Sequence, residues 1–125
     1  MSLIFIVDDD PDVRELVEYK LVQGGHDVLS AANGQDALRL VPAARPNLDL
    51  LLLDVMMPGF SGFDVLAQLR AEEATRLLPI IMLTAKAQET DAERGFALGA
   101  DDYVLKPFSP RELMNRIAAQ LVRIG

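Results

Sequence analysis

Residues 48–62, LDLLLLDVMMPGFSG, contain the most apolar segment of the chain and place a carboxylate at its end. The four leucines at residues 50–53 form an uninterrupted apolar run, which is typical of a strand that is buried on both faces. Asp54 follows directly, and Pro58 and Gly59 then indicate a turn. A buried strand that ends in a charged group requires an explanation, so Asp54 is the first candidate functional residue.

Composition limits the classes of protein to which the chain can belong. Its 125 residues are 50% hydrophobic and 25% charged, which predicts a single globular domain over residues 1–125. A net charge of −7 argues against direct binding of nucleic acid or of an anionic membrane. The absence of cysteine excludes disulfides and thiolate metal sites. No apolar run approaches the roughly 18 residues of a membrane helix, and no signal peptide is recognisable, so we expect a cytoplasmic protein.

Apolar strands alternate with amphipathic helices along the whole chain. Periodicity and breaker residues predict five strands, at residues 3–7, 27–31, 50–53, 80–84 and 102–105. They also predict five helices, at residues 11–23, 34–41, 63–73, 88–98 and 109–123. We expect Pro42 to end the second helix, Gly99 to end the fourth and Ser109 to cap the fifth. This alternation predicts an open, doubly wound α/β fold in which helices cover both faces of a parallel sheet.

Polar side chains stand at the carboxyl ends of four of the five predicted strands. Asp8 and Asp9 follow the first strand, Asp54 follows the third, Thr84 ends the fourth and Lys106 follows the fifth. In an open parallel sheet, ligands bind beyond the carboxyl ends of the strands, where the winding direction switches. We therefore expect these five side chains to converge at one edge of the sheet.

The chemistry of this group points to phosphoryl transfer. Two carboxylates about 4 Å apart repel by roughly 4 kcal/mol at an effective dielectric constant near 20, so three of them need a proton or a cation. A cluster of oxygens without histidine or cysteine suits Mg²⁺. Lys106 and the Thr84 hydroxyl would complete a site for a phosphoryl group, and Asp54 is the candidate nucleophile. Asp10, which precedes Pro11, is interpreted as a structural helix cap.

The chain resembles the receiver domains of bacterial two-component response regulators from Leu3 to about Arg123. The motifs that carry the resemblance are VDDDP (7–11), LDVMMPGFSG (53–62), MLTA (82–85), GADDY (99–103) and KPF (106–108), in the order and spacing of the family. The resemblance implies a flavodoxin-like sheet in the order 2-1-3-4-5. It also implies a signalling switch that accepts a phosphoryl group from a histidine kinase or a phosphotransfer protein, rather than an enzyme with an external substrate.

The resemblance also implies a role for each residue of the strand-end group. Asp54 would be the phosphoacceptor. Mg²⁺ would be bound by Asp8, Asp9 and Asp54, together with the backbone carbonyl of Met56. Lys106 would contact the phosphoryl group.

Further roles follow from the same resemblance. Lys106 and Pro107 would be joined by a cis peptide bond. Thr84 and Tyr103 would form a switch pair, in which the hydroxyl moves to a phosphoryl oxygen and the ring turns inward behind it. The switch would change the surface formed by the fourth helix, the fifth strand and the fifth helix.

That surface is also a candidate for a dimer that phosphorylation promotes. Its charged residues are Asp101, Asp102, Glu112 and Arg116, and a two-fold axis would allow Asp102 of one chain to meet Arg116 of the other. Transcription-linked relatives usually carry a basic residue where this chain has Ala92, and that residue pairs with the position of Glu112. We therefore expect a dimer here that is weaker than in those relatives and sensitive to salt.

Other interpretations concern the extent of the domain and its class. We expect residues 1–125 to be one receiver domain with no output domain, and Met1 and Ser2 to be a cloning remnant. One alternative function is an Mg²⁺-dependent phosphatase that resembles the haloacid dehalogenase superfamily, with Asp8 as nucleophile and Asp10 in its first motif. A second is a flavodoxin-like binder of flavin phosphate, although the first loop is acidic instead of rich in glycine or hydroxyl groups.

Overall fold

Ten elements of secondary structure alternate along the chain, as predicted. The computed structural model describes the backbone of residues 2–57, 59–85 and 89–124, and the side chains of these residues except 85, 89–92, 123 and 124. The strands are β1 (Leu3–Val7), β2 (Asp27–Ala31), β3 (Leu50–Asp54), β4 (Ile80–Ala85) and β5 (Asp102–Lys106). The helices are α1 (Pro11–Gln23), α2 (Gly34–Ala44), α3 (Gly62–Ala71), α4 (Glu89–Leu98) and α5 (Pro110–Ile124).

The five strands form one parallel sheet in the order β2-β1-β3-β4-β5, which confirms the predicted fold. β3 lies at the centre, where it pairs with β1 through Val7 and Leu53 and with β4 through Asp54 and Leu83. The chain winds in one direction from β1 to β2 and in the other from β3 onwards, so the switch point lies between β1 and β3. The carboxyl ends of these two strands therefore border the same crevice.

Each face of the sheet carries its own hydrophobic core. Alternate residues of the central strands point to opposite faces because the side-chain period of a strand is two residues. One core contains Phe5, Val7, Leu51, Leu53, Ile80 and Met82 packed with residues of α2 and α3. The other contains Ile4, Ile6, Leu50, Leu52, Ile81, Leu83 and Val104 packed with residues of α1 and α5. The leucines at positions 50–53 are all completely buried, as the apolar run of β3 predicts.

The predicted end of the second helix is wrong. α2 continues through Pro42 to Ala44, and the N–H of Arg45 donates to the carbonyl of Pro42 at 3.3 Å. A proline removes one hydrogen-bond donor, but its fixed φ lies in the helical range, so the backbone can continue for part of a turn. The predicted end of α4 at Gly99 is confirmed, and the φ of +107° there favours glycine.

A few sequence-based predictions lie outside the described residues. They concern the turn residue Pro58, the first residue of the predicted fourth helix, Gln88, the amino-terminal Met1 and the side chain of Ala92. Within the residues that the structure describes, no helix is long and apolar enough to cross a membrane.

Candidate functional site

The structure brings together the acidic residues that the sequence predicts to converge. Asp8 follows the last residue of β1, and Asp54 is the last residue of the neighbouring strand β3. Asp8, Asp9 and Asp54 each offer a carboxylate oxygen, and these oxygens all lie within 4.8 Å of one another. Asp8 and Asp54 are buried, whereas Asp9 is exposed at the mouth of the cluster. This arrangement follows from strand order, because β1 and β3 are direct neighbours.

Asp8 is held in place by two hydrogen bonds from residues at the start of α1. Its Oδ1 accepts a hydrogen bond from the N–H of Asp10 at 2.9 Å, and its carbonyl accepts one from Arg14 Nη1 at 2.8 Å. The carboxylate of Asp10 accepts from the N–H of Asp12, so Asp10 caps α1 as predicted. Its role in the structure is therefore to orient the loop that presents Asp8.

Lys106 bridges the two buried carboxylates from the end of β5. Its Nζ donates to Asp8 Oδ2 at 2.7 Å and lies 3.2 Å from Asp54 Oδ1. Burial alone would lower the pKa of Lys106, but hydrogen bonds and the charges of Asp8 and Asp54 outweigh this effect and raise it above its usual value. Lys106 is therefore a fixed positive charge. The peptide bond between Lys106 and Pro107 is cis, as the resemblance implies.

The ionised form of Asp54 is disfavoured by its surroundings. Burial and the neighbouring charge of Asp8 raise its pKa from 3.8 to about 7, and this is only partly opposed by Lys106 and by a hydrogen bond from the N–H of Met56 at 3.3 Å. The cluster contains three carboxylates, and Lys106 contacts only Asp8 and Asp54, so the carboxylates outnumber the lysine that balances them. A bound cation would relieve this repulsion and favour the ionised form of Asp54.

The donor set fits a hard divalent cation. All three side chains offer oxygen, and the cluster contains no histidine or cysteine, which matches the preference of Mg²⁺ for carboxylates, carbonyls and water. The side chain of Met56 is 65% exposed and takes no part in the cluster. The contact described for the backbone of Met56 is the one from its N–H to Asp54, and its carbonyl remains a predicted ligand.

Thr84 and Tyr103 lie on the neighbouring strands β4 and β5, offset by two residues because Tyr103 is paired with Met82 and Thr84 with Leu105. Among the described residues, the buried Oγ1 of Thr84 has no hydrogen-bond partner. Tyr103 is half-buried, and its ring packs edge-on against Phe96 of α4, with ring centroids 5.3 Å apart. Both residues line a narrow hollow that Phe96 also borders. The predicted switch pair thus adjoins a space next to α4.

The charged residues of the predicted dimer face are paired within one chain. Arg116 Nη1 donates to both carboxylate oxygens of Asp102, at 2.9 and 3.1 Å, and Arg116 Nη2 lies 4.0 Å from Glu112. Asp101 points elsewhere, because it accepts hydrogen bonds from Arg70 at 3.0 Å and from the N–H of Ile80 at 2.8 Å. Asp101 therefore ties β5 to β4 and α3 instead of contributing a free charge to a partner.

Sequence reasoning missed two residues beside the site, Arg14 and Gly62, and one residue at the opposite edge of the sheet, Arg70. Arg14 was missed although a cation in the first turns of a helix opposes the helix dipole and so indicates a specific contact. Gly62 lies against the carbonyl of Asp54. Arg70 donates to the carbonyls of Gly99, Thr75, Arg76 and Leu78 and joins two loops. No local sequence pattern indicates the roles of Gly62 and Arg70, because their partners are distant or depend on loop geometry.

Comparison with known proteins places these observations in a family. Residues 4–118 match the model of the response regulator receiver domain. The chain is 46% identical over 122 residues to the phosphate regulon transcriptional regulatory protein PhoB of Pseudomonas aeruginosa, covering 98% of this chain and 52% of that protein. It is 45% identical over 120 residues to the alkaline phosphatase synthesis transcriptional regulatory protein PhoP of Bacillus subtilis, covering 96% and 48%. The chain thus spans about half the length of the curated relatives it matches.

Solved structures show the same relationship. The chemotaxis protein CheY4 of Vibrio cholerae superposes with a TM-score of 0.89 at 32% identity, covering 97% of this chain and 99% of that one. The receiver domain of the Francisella response regulator 1452 superposes with a TM-score of 0.91 at 30% identity over 100% of both chains. These matches leave no support for the phosphatase or flavin-binding alternatives, since receiver domains are signalling phosphoacceptors and not catalytic enzymes. From its fold, its acidic cluster and these relationships, the chain belongs to the response regulator receiver domain family of two-component signalling proteins.

Proposed function

We propose that Asp54 accepts a phosphoryl group from the phosphohistidine of a sensor histidine kinase or of a phosphotransfer protein, with Mg²⁺ as cofactor. The observation that carries this proposal is the placement of Lys106 Nζ 2.7 Å from Asp8 and 3.2 Å from Asp54, within a cluster of three carboxylates. One carboxylate of this cluster stands at the end of the central strand, where a donor can reach it from outside the sheet.

The transfer itself needs little covalent chemistry from the protein. One carboxylate oxygen of Asp54 forms a bond to phosphorus while the bond between phosphorus and the imidazole nitrogen of the donor breaks. The imidazole leaves with the electron pair of that bond and takes a proton from solvent. Lys106 lies close enough to Asp54 Oδ1 to donate a hydrogen bond to an oxygen of the bound phosphoryl group, which would stabilise the charge there.

The charge balance of the site accounts for the requirement for metal. Asp54 must be ionised to attack, yet burial and Asp8 raise its pKa to about 7. Asp8, Asp9 and Asp54 would hold the ion with the carbonyl of Met56. When bound, Mg²⁺ supplies positive charge that offsets both the carboxylates and the anionic donor.

We also propose that Thr84 and Tyr103 convert phosphorylation into a change at α4, β5 and α5. The Thr84 hydroxyl is buried and lacks a partner among the described residues, so a phosphoryl oxygen within its reach would satisfy it. Movement of Thr84 would open space beside the half-buried ring of Tyr103, which lines the same hollow. The Thr84 hydroxyl would thus have a partner in the phosphorylated state that it lacks in the unphosphorylated state, and a two-state switch requires such a difference in contacts.

The direct test is labelling by a small phosphodonor. Wild type, Asp54→Asn and Asp9→Ala would be incubated with acetyl phosphate, with Mg²⁺ or with a chelator, and analysed by intact-protein mass spectrometry. We expect a single added phosphoryl group on wild type only when Mg²⁺ is present, none on Asp54→Asn, and strongly reduced labelling of Asp9→Ala.

A matched control is Asp27→Asn, which changes an exposed aspartate at the first residue of β2, away from the carboxyl ends of the strands, and should be labelled at close to the wild-type level. Undiminished labelling of Asp54→Asn would show that another residue is the phosphoacceptor. Equal labelling with metal and with chelator would show that Mg²⁺ has no role.

A further inference from the structure

The first residue of α3 packs directly against the backbone of the phosphoacceptor. A β carbon added at Gly62 would lie 2.1 Å from the carbonyl oxygen of Asp54 and 2.9 Å from both the Asp54 carbonyl carbon and Val55 Cα. Real β carbons do not approach backbone atoms this closely, so either α3 or the end of β3 would have to move. The N–H of Gly62 also donates to the carbonyl of Val55 at 2.9 Å.

This contact is tight because several interactions press the start of α3 against β3. Ser61 and Asp64 form a capping box, with the N–H of Asp64 donating to Ser61 Oγ and the N–H of Ser61 donating to Asp64. Phe63, next to Gly62, is 3% exposed and lies in the core. On the other side, the N–H of Val55 donates to the carbonyl of Leu83 in β4. Both the start of α3 and the end of β3 are therefore held in place by other contacts, and neither can easily move away from the other.

Conformation is not the reason for glycine at this position. Gly62 is the first residue of a regular helix and does not have a positive φ, so an alanine could adopt its backbone geometry. Alanine is in fact favoured over glycine inside helices by about 1 kcal/mol. The absence of a side chain is required only by the approach of the Asp54 carbonyl.

We propose that Gly62 is a positioning residue for phosphorylation, because its bare Cα allows α3 to set the place of Asp54 relative to Lys106. This inference rests on the proposed function of Asp54. A β carbon would have to be accommodated by a shift of about 1 Å, and misplacements of that size cost reactions of positioned groups up to about 100-fold in rate. The 3.2 Å separation of Asp54 Oδ1 from Lys106 Nζ is the distance that such a shift would change.

The chain contains a closely matched control for the substitution. Gly34 is the first residue of α2, follows the cap residue Asn33, and is also crowded, since a β carbon there would lie 2.7 Å from Phe60 Cβ and 2.9 Å from Val65 Cγ2. These are side-chain atoms, and no atom of Asp54 is among the three nearest to that β carbon. Gly34→Ala therefore reproduces the crowding at the start of a helix without placing a new atom against the backbone of the phosphoacceptor.

The experiment compares wild type, Gly62→Ala, Gly34→Ala and Asp54→Asn. The initial rate of labelling by acetyl phosphate at saturating Mg²⁺ would be expressed per folded molecule, with the folded fraction measured by circular dichroism on the same samples. We expect Gly62→Ala to be labelled about 10- to 100-fold more slowly than wild type, and Gly34→Ala within about threefold of it. A Gly62→Ala rate within the range of Gly34→Ala would overturn the proposal.

Two further measurements cover the cases in which this comparison fails. If Gly62→Ala does not fold, Asp64→Ala loosens the same helix start without adding an atom, and a labelling rate equal to wild type would overturn the proposal, whereas a reduction of about threefold or more supports it. If wild type itself is not labelled, the proposed function fails. The affinity of Gly62→Ala for Mg²⁺, followed by amide chemical shifts, then decides the positioning role, with a value equal to that of Gly34→Ala counting against it.

Discussion

Arg116 donates to both carboxylate oxygens of Asp102 in its own chain, at 2.9 and 3.1 Å. A two-fold dimer in which Arg116 meets Asp102 of the other chain would therefore exchange an existing ion pair for an equivalent one. Exposed pairs contribute only about 0–1 kcal/mol each, and the exchange leaves their number unchanged. Charge can select the register of such a dimer, but apolar contact must supply its affinity.

The first prediction is that the phosphorylated state forms a weak dimer whose affinity is nearly independent of salt. Exposed apolar residues at this face include Phe96 and Leu105, which are 46% and 38% exposed. Sedimentation velocity with and without beryllium fluoride, at low and high salt, measures the effect. Arg116→Glu should weaken the dimer further, because it replaces the attraction between residue 116 and Asp102 by repulsion. A wild-type monomer under all conditions would contradict the prediction.

The second prediction concerns the stability of Asp54→Asn as a function of pH. The Asp54 carboxyl has a pKa near 3.8 when unfolded and about 7 when folded, so the folded state holds its proton more tightly. The resulting stabilisation is fully present below pH 3.8 and is lost as the pH rises through 7. Asparagine is neutral at every pH, so in chelator the variant should become more stable than wild type as the pH rises, by up to about 4 kcal/mol above pH 7.

Urea unfolding of both proteins between acidic and mildly alkaline pH tests this expectation. Addition of Mg²⁺ should stabilise wild type at pH 8 and have a much smaller effect on Asp54→Asn, since the ion then relieves the same repulsion. A difference in the free energy of unfolding that is constant with pH would show that Asp54 does not titrate in this range.

The third prediction is that Lys106→Met destabilises the domain. Asp8 is a completely buried carboxylate whose charge is balanced by Lys106, so loss of Lys106 leaves this negative charge unpaired. Removal of one partner of a buried pair is strongly destabilising, and because Lys106 itself is a quarter exposed we expect about 2–3 kcal/mol. Lys20→Met, outside the cluster, is the control. The double variant Lys106→Met with Asp8→Asn should recover much of the loss in chemical denaturation, and additive losses would argue against the pair.

The fourth prediction is that Thr84→Val stabilises the unphosphorylated domain and uncouples it from the signal. Valine removes a buried hydroxyl that has no partner among the described residues, which should raise the free energy of unfolding by about 1 kcal/mol and the Tm by about 4 °C. Amide shifts in α4 and β5 on addition of beryllium fluoride should shrink. Thr84→Ser, which retains the hydroxyl, is the control, and a full response from Thr84→Val would exclude a switch role for the hydroxyl.

Local patterns explain why most of the fold could be predicted. Strand and helix periodicity, the Asp10 cap and the Gly99 stop depend on residues close in sequence, and all five strands and five helices were located. Convergence of Asp8 and Asp54 followed from the rule that parallel strands end at one edge. These rules do not predict which charged side chains pair with one another. Arg116 pairs with Asp102 within one chain because of the distance between β5 and α5, which no periodicity contains.

The same limit applies to the end of α2 and to the packing of Gly62 against Asp54. The continuation of α2 past Pro42 depends on a balance between one lost hydrogen bond and the helical φ of proline. The contact between Gly62 and the Asp54 carbonyl depends on how the intervening loop closes, and glycine in a loop sequence has many ordinary explanations. Both features depend on how separate parts of the chain meet in three dimensions, and a local sequence pattern does not determine this.

The bridge from Lys106 to Asp8 joins residues 98 positions apart in the sequence. Closing the loop between such distant residues has an entropic cost, which the folding of the intervening strands and helices must offset. A receiver that is still on the ribosome, or one that has lost β5 to a protease, has the acidic residues but lacks the lysine. Under the proposed function, such damaged or incomplete copies would lack the cation that balances Asp8 and Asp54, and we expect them not to respond to a phosphodonor.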